Sequence, residues 1–328
     1  MVFKLRNKWD LSPIFFEEVF MKIAVIGPGA VGCLFAGLLA RKGQEVWILD
    51  KDPERAAKIN SQGISCEGVS GTWQVKIKAT ADPKDISAPD LAMICVKTYD
   101  TKSAAIAAKA LLGQDTSVLT LQNGIGNIEL ISEVVGAERV IGGITNLGAT
   151  LLDVGKVRHA GKGETVIGRM DGSITVDLRS IREAFIKAGI ETRISRDIKN
   201  FLWSKLVINV GINALCAITR LNNGKLLDYE TSHKILKMAV NEAVKVAKRK
   251  RIKLSYEDPL TKVEAVCEAT CGNVCSMLQD VLKKRRTEID SINGVIVRYA
   301  EELNIPVPVN SLLVDLVKTI ESSYACAI

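Results

Sequence analysis

The apolar positions along the chain change period once, near residue 196. Before that point short apolar runs alternate with helical stretches. MKIAVIG (21–27) shows no polar alternation, as in a parallel strand buried on both faces. CLFAGLLARKG (33–43) then predicts a helix closed by Gly43, and EVWILD (45–50) a second strand ending in Asp50. DLAMICVK (90–97) and TSVLTLQNG (116–124) read as further strands with an alanine-rich helix between them. VIGGITNLGAT (140–150) and KVRHAGKGETVIG (156–168) are expected to close the sheet as antiparallel strands. Beyond residue 196 the period is helical, with amphipathic segments at 231–250, 259–282, 287–303 and 309–322. Pro306 and Pro308 separate the last two.

Between the first strand and the first helix lies Gly27-Pro28-Gly29-Ala30-Val31-Gly32, a G-x-G-x-x-G. Alone that motif is weak. Here it sits inside a βαβ unit, with an acid, Asp50, about 20 residues further on, and that context points to a dinucleotide. Gly27 allows the tight turn, Gly29 lets a pyrophosphate approach, and Gly32 lets helix pack on strand. The helix N-terminus supplies free N–H groups and partial positive charge. Ligands in such sheets bind beyond the C-terminal strand ends, where Lys97 and Asn123 fall. The fold expected is therefore an α/β N-terminal Rossmann-type dinucleotide-binding domain, residues 21–195, followed by an all-α C-terminal domain, residues 196–328. Residues 1–20 carry too many charges for a signal peptide and read as an N-terminal extension.

One helical stretch carries an unusual polar stripe. In FLWSKLVINVGINALCAI (201–218), Lys205, Asn209 and Asn213 are spaced i, i+4, i+8. Each step drifts only about 40° around the helix, so the three share a face among apolar neighbours. On this window alone, a snorkelling lysine and two capping asparagines would suffice. Within RRTEIDSING, Thr287 and Asp290 have capping-box spacing, which puts Glu288 in a first helical turn, where the dipole suits a carboxylate.

Composition narrows the classes. The 328 residues allow two domains, and 47% hydrophobic with 25% charged residues is a globular profile. Net charge is +7, yet the basic runs at 245–253 and 283–286 lack interleaved aromatics and read as solvated helix ends, with no nucleic-acid partner implied. No window holds 18 uninterrupted apolar residues, so no membrane span is expected. Eight scattered cysteines, several within apolar runs, suggest reduced thiols of a cytoplasmic protein. Cys267, Cys271 and Cys275 would line one face of a helix, but C-x3-C-x3-C lacks the usual zinc spacing, and no metal is expected.

These residues together resemble the ketopantoate reductase (2-dehydropantoate 2-reductase) family over nearly all of residues 21–324. The matching stretches are IGPGAVG, VKTYD (96–100), LQNGIGN (121–127), GKVRHAGKGETVIG (155–168), LWSKLVINVGINALCAI (202–218) and SMLQDVLKKRRTEIDSING (276–294). The last two are specific to that family. The resemblance implies NAD(P)H-dependent reduction of 2-dehydropantoate to (R)-pantoate, a step toward pantothenate and coenzyme A. It implies Lys205 as general acid, Asn209 and Asn213 facing the substrate, and Glu288 binding the substrate hydroxyl. Ser276 would bind the carboxylate end, Asn123 would lie beside nicotinamide and substrate, and Lys97 would contact the cofactor region. A homodimer is compatible with it. The family default is NADPH, held by an arginine after the second strand. Here that place holds Asp50-Lys51, so NADH is a live alternative: Asp50 is expected to bond a ribose hydroxyl and repel a 2′-phosphate, with Lys51 and Arg55 offsetting the repulsion. Two other readings compete, a reductase of another 2-keto acid and a non-catalytic NAD(P)-binding sensor.

Overall fold

The structure is a computed structural model that describes residues 20–326. The expectation for residues 1–20 therefore falls, Phe20 apart, outside the described residues. The N-terminal half runs β1 (Lys22–Ile26), α1 (Ala30–Ala40), β2 (Glu45–Leu49), α2 (Pro53–Gln62), β3 (Ile64–Gly68), β4 (Trp73–Val75), β5 (Lys78–Thr80), β6 (Leu91–Ile94) and α3 (Thr101–Lys109). It continues with β7 (Ser117–Thr120), α4 (Asn127–Val135), β8 (Val140–Thr145), β9 (Gly148–Asp153), β10 (Lys156–Gly161), β11 (Thr165–Gly168), α5 (Val176–Lys187) and β12 (Thr192–Ile194). The helical half holds α6 (Ile198–Thr219), α7 (Lys225–Asp228), α8 (Glu230–Arg249), α9 (Pro259–Ala269), α10 (Ser276–Leu282), α11 (Asn293–Leu303) and α12 (Pro308–Ser322).

The main sheet has the strand order β12-β11-β8-β7-β6-β1-β2-β5. From β5 to β8 every pair is parallel; β11 then runs antiparallel to β8. β6, β7 and β8 are buried at every position, as the unbroken apolar runs require. Helices cover both faces. On one, Phe35 of α1 meets Phe185 of α5 edge-on at 5.4 Å. On the other, α3 and α4 pack Ala105 and Ile131 over Ala24 and Val118. Strand order reverses between β1 and β6, the switch point at which such folds bind ligands in the crevice beyond the strand ends.

The region 140–168 differs from expectation. Each of its two predicted strands splits. β8 lies parallel to β7, while β9 and β10 leave the main sheet for a second one, β4-β3-β10-β9, packed on α1. The cause shows in the side chains. β10 alternates buried and exposed positions, with Val157 and His159 inward, whereas β8 is buried throughout. Gly163 sits where a Cβ would stand 2.5 Å from the Asn146 carbonyl, so both segments cross closely between the sheets.

α6 belongs to both halves. Ile198 and Leu202 join the core beneath α3 and α4; from Trp203 onward the helix forms the centre of the helical domain. Among the described residues it is the one helix long and apolar enough to cross a membrane, but 72% of its apolar window is buried inside the protein. Two predicted helices are interrupted. The segment 259–282 breaks into α9 and α10 because the turn at Asn223-Gly224 docks on the break, donating to the carbonyls of Asn273 and Cys271. Cys267, Cys271 and Cys275 therefore do not share a helix face: Cys267 and Cys275 are buried and Cys271 is exposed. Among the described residues no group of three or more metal-ligating side chains forms. Likewise 287–303 becomes a 3-10 turn over Ile289–Ser291 and then α11.

A buried polar network joins four of these helices. Glu242 of α8 accepts bonds from the N–H groups of Val309 and Asn310, at 3.0 and 2.9 Å, and from Asn310 Nδ2 at 2.8 Å. Asn310 Oδ1 accepts from Asn293, whose amide also donates to the Val210 carbonyl of α6. Glu242 thus serves the free donors at the start of α12, which its own first residue, Pro308, cannot cap. Glu242→Ala would leave these donors buried and unpaired, a loss of about 2–4 kcal/mol in urea unfolding. Glu242→Gln, which keeps an acceptor, is expected to lose less; equal losses would mean that size rather than hydrogen bonding is at stake.

Candidate active site

The C-terminal ends of β1 and β6 lie side by side, and α6, α10 and the Glu288 turn of the helical half meet the ends of β6 and β8. The glycine turn comes first. Gly27 has φ +95°, and a Cβ there would meet Val96 Cγ1 at 2.5 Å. At Gly32 a Cβ would stand 2.3 Å from the Gly27 carbonyl, so the helix lies tight on the turn. Gly29 is different: the nearest atom to a Cβ there is 3.7 Å away, leaving open space. Gly29 is the N-cap of α1, with no side-chain cap and no acid in the first turn. The N–H groups of Ala30, Val31 and Gly32 are thus free of intrahelical partners. The opening, the free donors and the dipole all suit a pyrophosphate.

At the next strand end, Asp50 is 2% exposed and already engaged. Arg55, on the first turn of α2, donates Nε to Oδ2 at 2.9 Å and Nη2 to Oδ1 at 2.6 Å. The Asp52 N–H adds a bond to Oδ1 at 3.2 Å. Lys51 extends into solvent and pairs with Asp100 at 3.0 Å.

Lys97, after β6, reaches across to the helical domain. Its Nζ stands 2.6 Å from Asp280 Oδ2 and 3.4 Å from Glu288 Oε2. Burial works against its charge, but the Glu288 and Asp280 carboxylates outweigh that and raise its pKa above the ordinary lysine value. Glu288 Oε1 accepts the Thr98 N–H at 3.1 Å. The expected capping box is absent. Thr287 Oγ1 accepts from Ile289 N–H instead, and Asp290 turns outward to Lys318 and Arg286. Glu288 is thus met by a lysine and an amide from the other domain, not by a helix dipole. A kink at Ile292 prevents the α-helix from starting earlier.

The loop after β7 is braced from behind. Gln122 donates to the Val96 carbonyl and to Thr101, while accepting from Thr120. Thr101 donates to Asn127, which donates to the Asn123 carbonyl at 3.0 Å. Gly124, φ +81°, lies so close to Ser291 that a Cβ would meet its carbonyl at 2.4 Å. Asn123 is held by its backbone, and its side-chain amide bonds nothing among the described residues. A cavity of about 230 Å³ borders the same loop, lined by Gln122, Gly126, Trp203 and Tyr299, but none of the site residues predicted on α6 or α10 reaches it.

α6 enters at Lys205. Its Nζ donates to the Thr145 carbonyl, at the end of β8, at 2.7 Å. Burial lowers its pKa to about 8, against an opposing pull from the Glu288 carboxylate. One residue earlier the helix is clamped: Tyr256 Oη donates to the Ser204 carbonyl, and Ser255 N–H to Ser204 Oγ. Asn209 and Asn213 follow on the same face. Among the described residues neither side-chain amide makes a hydrogen bond, and neither does the Ser276 hydroxyl at the start of α10. The tertiary structure thus adds Thr145, Gln122, Asp280 and Tyr256. Two of these had a sequence signal: Asp280, four residues after Ser276 in SMLQD, and Gln122, beside Asn123 in LQNGIGN.

The chain matches known proteins along most of its length. The family described as "Ketopantoate reductase PanE/ApbA" matches residues 23–172, and its C-terminal counterpart matches residues 197–321. The 2-dehydropantoate 2-reductase of Pyrococcus horikoshii is 39% identical, over 92% of this chain and 98% of its own length. That of Halobacterium salinarum is 37% identical, over 91% and 98%. A crystal structure of a PanE/ApbA family ketopantoate reductase from Ralstonia eutropha superposes with TM-score 0.86 at 35% identity, covering 92% of this chain and 99% of that one. A ternary structure of D-mandelate dehydrogenase with NADH and anilino(oxo)acetate gives TM-score 0.85 at 29% identity, covering 92% and 99%. With both halves matched and identities of 37–39% to full-length relatives, this chain belongs to the ketopantoate reductase family.

Proposed function

We propose that this protein reduces 2-dehydropantoate to (R)-pantoate with NAD(P)H, and that Lys205 is the general acid. The observation that carries the reading is a buried Lys205 ammonium, held by the Thr145 carbonyl and within the field of Glu288, whose own partners Lys97 and Thr98 follow β6, the strand beside the glycine-turn strand β1. The cofactor, when bound, supplies hydride to the 2-keto carbon. Lys205 has three donors, of which one is held by Thr145. One of the remaining two meets the carbonyl oxygen as negative charge grows there and gives up its proton to it. A pKa near 8 leaves the ammonium charged at neutral pH yet a better acid than an exposed lysine. Glu288 keeps lone pairs free beyond those used by Thr98 and Lys97, and these accept the substrate's hydroxyl. The unpartnered groups of Asn123, Asn209, Asn213 and Ser276 are available to orient the rest of the substrate without adding charge.

The second reading is favoured by the D-mandelate dehydrogenase likeness: a reductase of a 2-keto acid lacking that hydroxyl. Glu288 separates the two, because a site built around a hydroxyl rejects analogues without it. Turnover of 2-dehydropantoate is expected to exceed that of 2-ketoisovalerate and of benzoylformate. Glu288→Ala should damage the first far more than the other two; a preference for benzoylformate in the unaltered enzyme would move the assignment to the second reading.

The role of Lys205 has two tests. Lys205→Ala should lower kcat at least about a hundredfold while cofactor binding stays nearly intact. Near-normal turnover would return Lys205 to a structural part. In the unaltered enzyme the acid must be protonated, so kcat/KM for reduction should fall about tenfold per pH unit above pH 8, where Lys205 loses its proton. Pantoate oxidation, which needs the neutral amine, should rise over the same range.

A further inference from the structure

The strand end that holds Asp50 does not present a free carboxylate to the crevice. Asp50 is 2% exposed, and three donors occupy its two oxygens: Arg55 Nε, Arg55 Nη2 and the Asp52 N–H. Arg55 lies over it on the solvent side, with its side chain 44% exposed. A guanidinium has five N–H donors, and Asp50 takes two. Asp52 stands 3.5 Å from Nε but makes no hydrogen bond to the guanidinium, so three donors, both on Nη1 and the second on Nη2, are uncommitted among the described residues. Asp52 instead caps α2, accepting the N–H groups of Glu54 and Arg55, which fixes where the Arg55 backbone starts. The Gly27 N–H donates to the Leu49 carbonyl at 3.0 Å, so the pair sits beside the phosphate turn, at the strand end where such folds hold the adenosine ribose. Lys51, the residue next to Asp50, is 72% exposed and paired with Asp100.

We propose that Arg55, anchored by Asp50, is the receptor for a phosphate on the adenosine ribose, so that Asp50 supports the phosphate-bearing cofactor instead of repelling it. This rests on the dinucleotide-binding reading above and names the group that selects between the two cofactors. Asp50 neutralises part of the guanidinium charge, but in return it removes the rotamer freedom that an exposed arginine would lose on binding. A planar fork so held meets a phosphate with aligned donors. A ribose hydroxyl in place of the phosphate would have to compete with Arg55 for a buried carboxylate. Lys51, exposed and screened, adds only a weaker attraction.

The test uses the full chain and reads binding, not turnover. NADPH and NADH are titrated by nicotinamide fluorescence, and 2′,5′-ADP and 5′-AMP by calorimetry, at one ionic strength. Arg55→Gln should weaken NADPH and 2′,5′-ADP about tenfold or more, while NADH and 5′-AMP change less than about threefold. Arg55→Lys should recover part of the loss. Asp50→Asn should also weaken NADPH, by about threefold, because the fork loses its anchor. Simple charge repulsion by Asp50 requires the opposite, tighter NADPH binding in Asp50→Asn, and that result overturns the proposal. So does an Arg55→Gln protein of unchanged melting temperature whose NADPH to NADH ratio has not moved. If the unaltered chain binds neither dinucleotide nor either nucleotide fragment, the cofactor reading itself fails, an outcome distinct from a bound cofactor with an unmoved ratio.

Discussion

The contact of the Lys97 ammonium with Asp280 and Glu288 is the constraint on which the site depends. Two carboxylates from separate segments of the helical domain converge on one point at the end of β6. Without a cation between them they would repel, and burial would favour protonating one. Burial does push the Asp280 carboxyl up, with Lys97 acting against it and the Glu288 charge adding to it. At 2.6 Å the ion pair is the dominant local contact. A buried pair of this kind is not strong evidence for stability, because desolvation offsets attraction. Its value here is positional. It fixes Glu288 against the Thr98 N–H and brings α10, with Ser276, to the crevice.

α6 supplies the complementary constraint from the opposite wall. A helix apolar on nearly all sides has to be buried all round, and two domains achieve this together. Its first turns pack under the sheet and its remainder is the core of the helical domain. Lys205 falls at the crossing. The backbone carbonyl of Thr145 and the field of Glu288 are what make a charged group tolerable there. The same burial lowers the proton affinity of the lysine. Desolvation, usually a cost of folding, is here the origin of acidity.

The crevice between these walls shows a division of labour. Groups that carry charge are tied by partners: Lys97 to two acids, Asp50 to Arg55, Lys205 to a carbonyl. Groups that carry none, Asn123, Asn209, Asn213 and the Ser276 hydroxyl, have no partner among the described residues. Leaving charges unpaired would be costly, whereas an unpartnered neutral amide or hydroxyl costs far less. Rigidity therefore comes from the ionic groups and adaptability from the amides.

Local pattern alone determined the parallel strands, the glycine turn, the long helix with its Lys205, Asn209 and Asn213 stripe, and the family's motifs. Each rests on a period or spacing within about 30 residues, a range over which backbone geometry is decisive. Apart from Asp50 and its near neighbour Arg55, what failed to be legible involves partners far apart in sequence. The split of residues 140–168 between two sheets depends on β3, some 90 positions earlier. The break between α9 and α10 depends on a turn at Asn223. Thr287 and Asp290 have capping-box spacing, yet Lys318 takes the carboxylate outward and the box does not form. Glu288 was named from its motif, but its partners, Lys97 and Thr98, lie about 190 residues away. The role of Asp50 turned on whether its carboxylate was free, and only the fold of α2 back over β2 put Arg55 on top of it. Spacing determines which residues can share a face; tertiary structure decides which charges meet, because electrostatic pairing depends on distance in space and on the water that packing has removed.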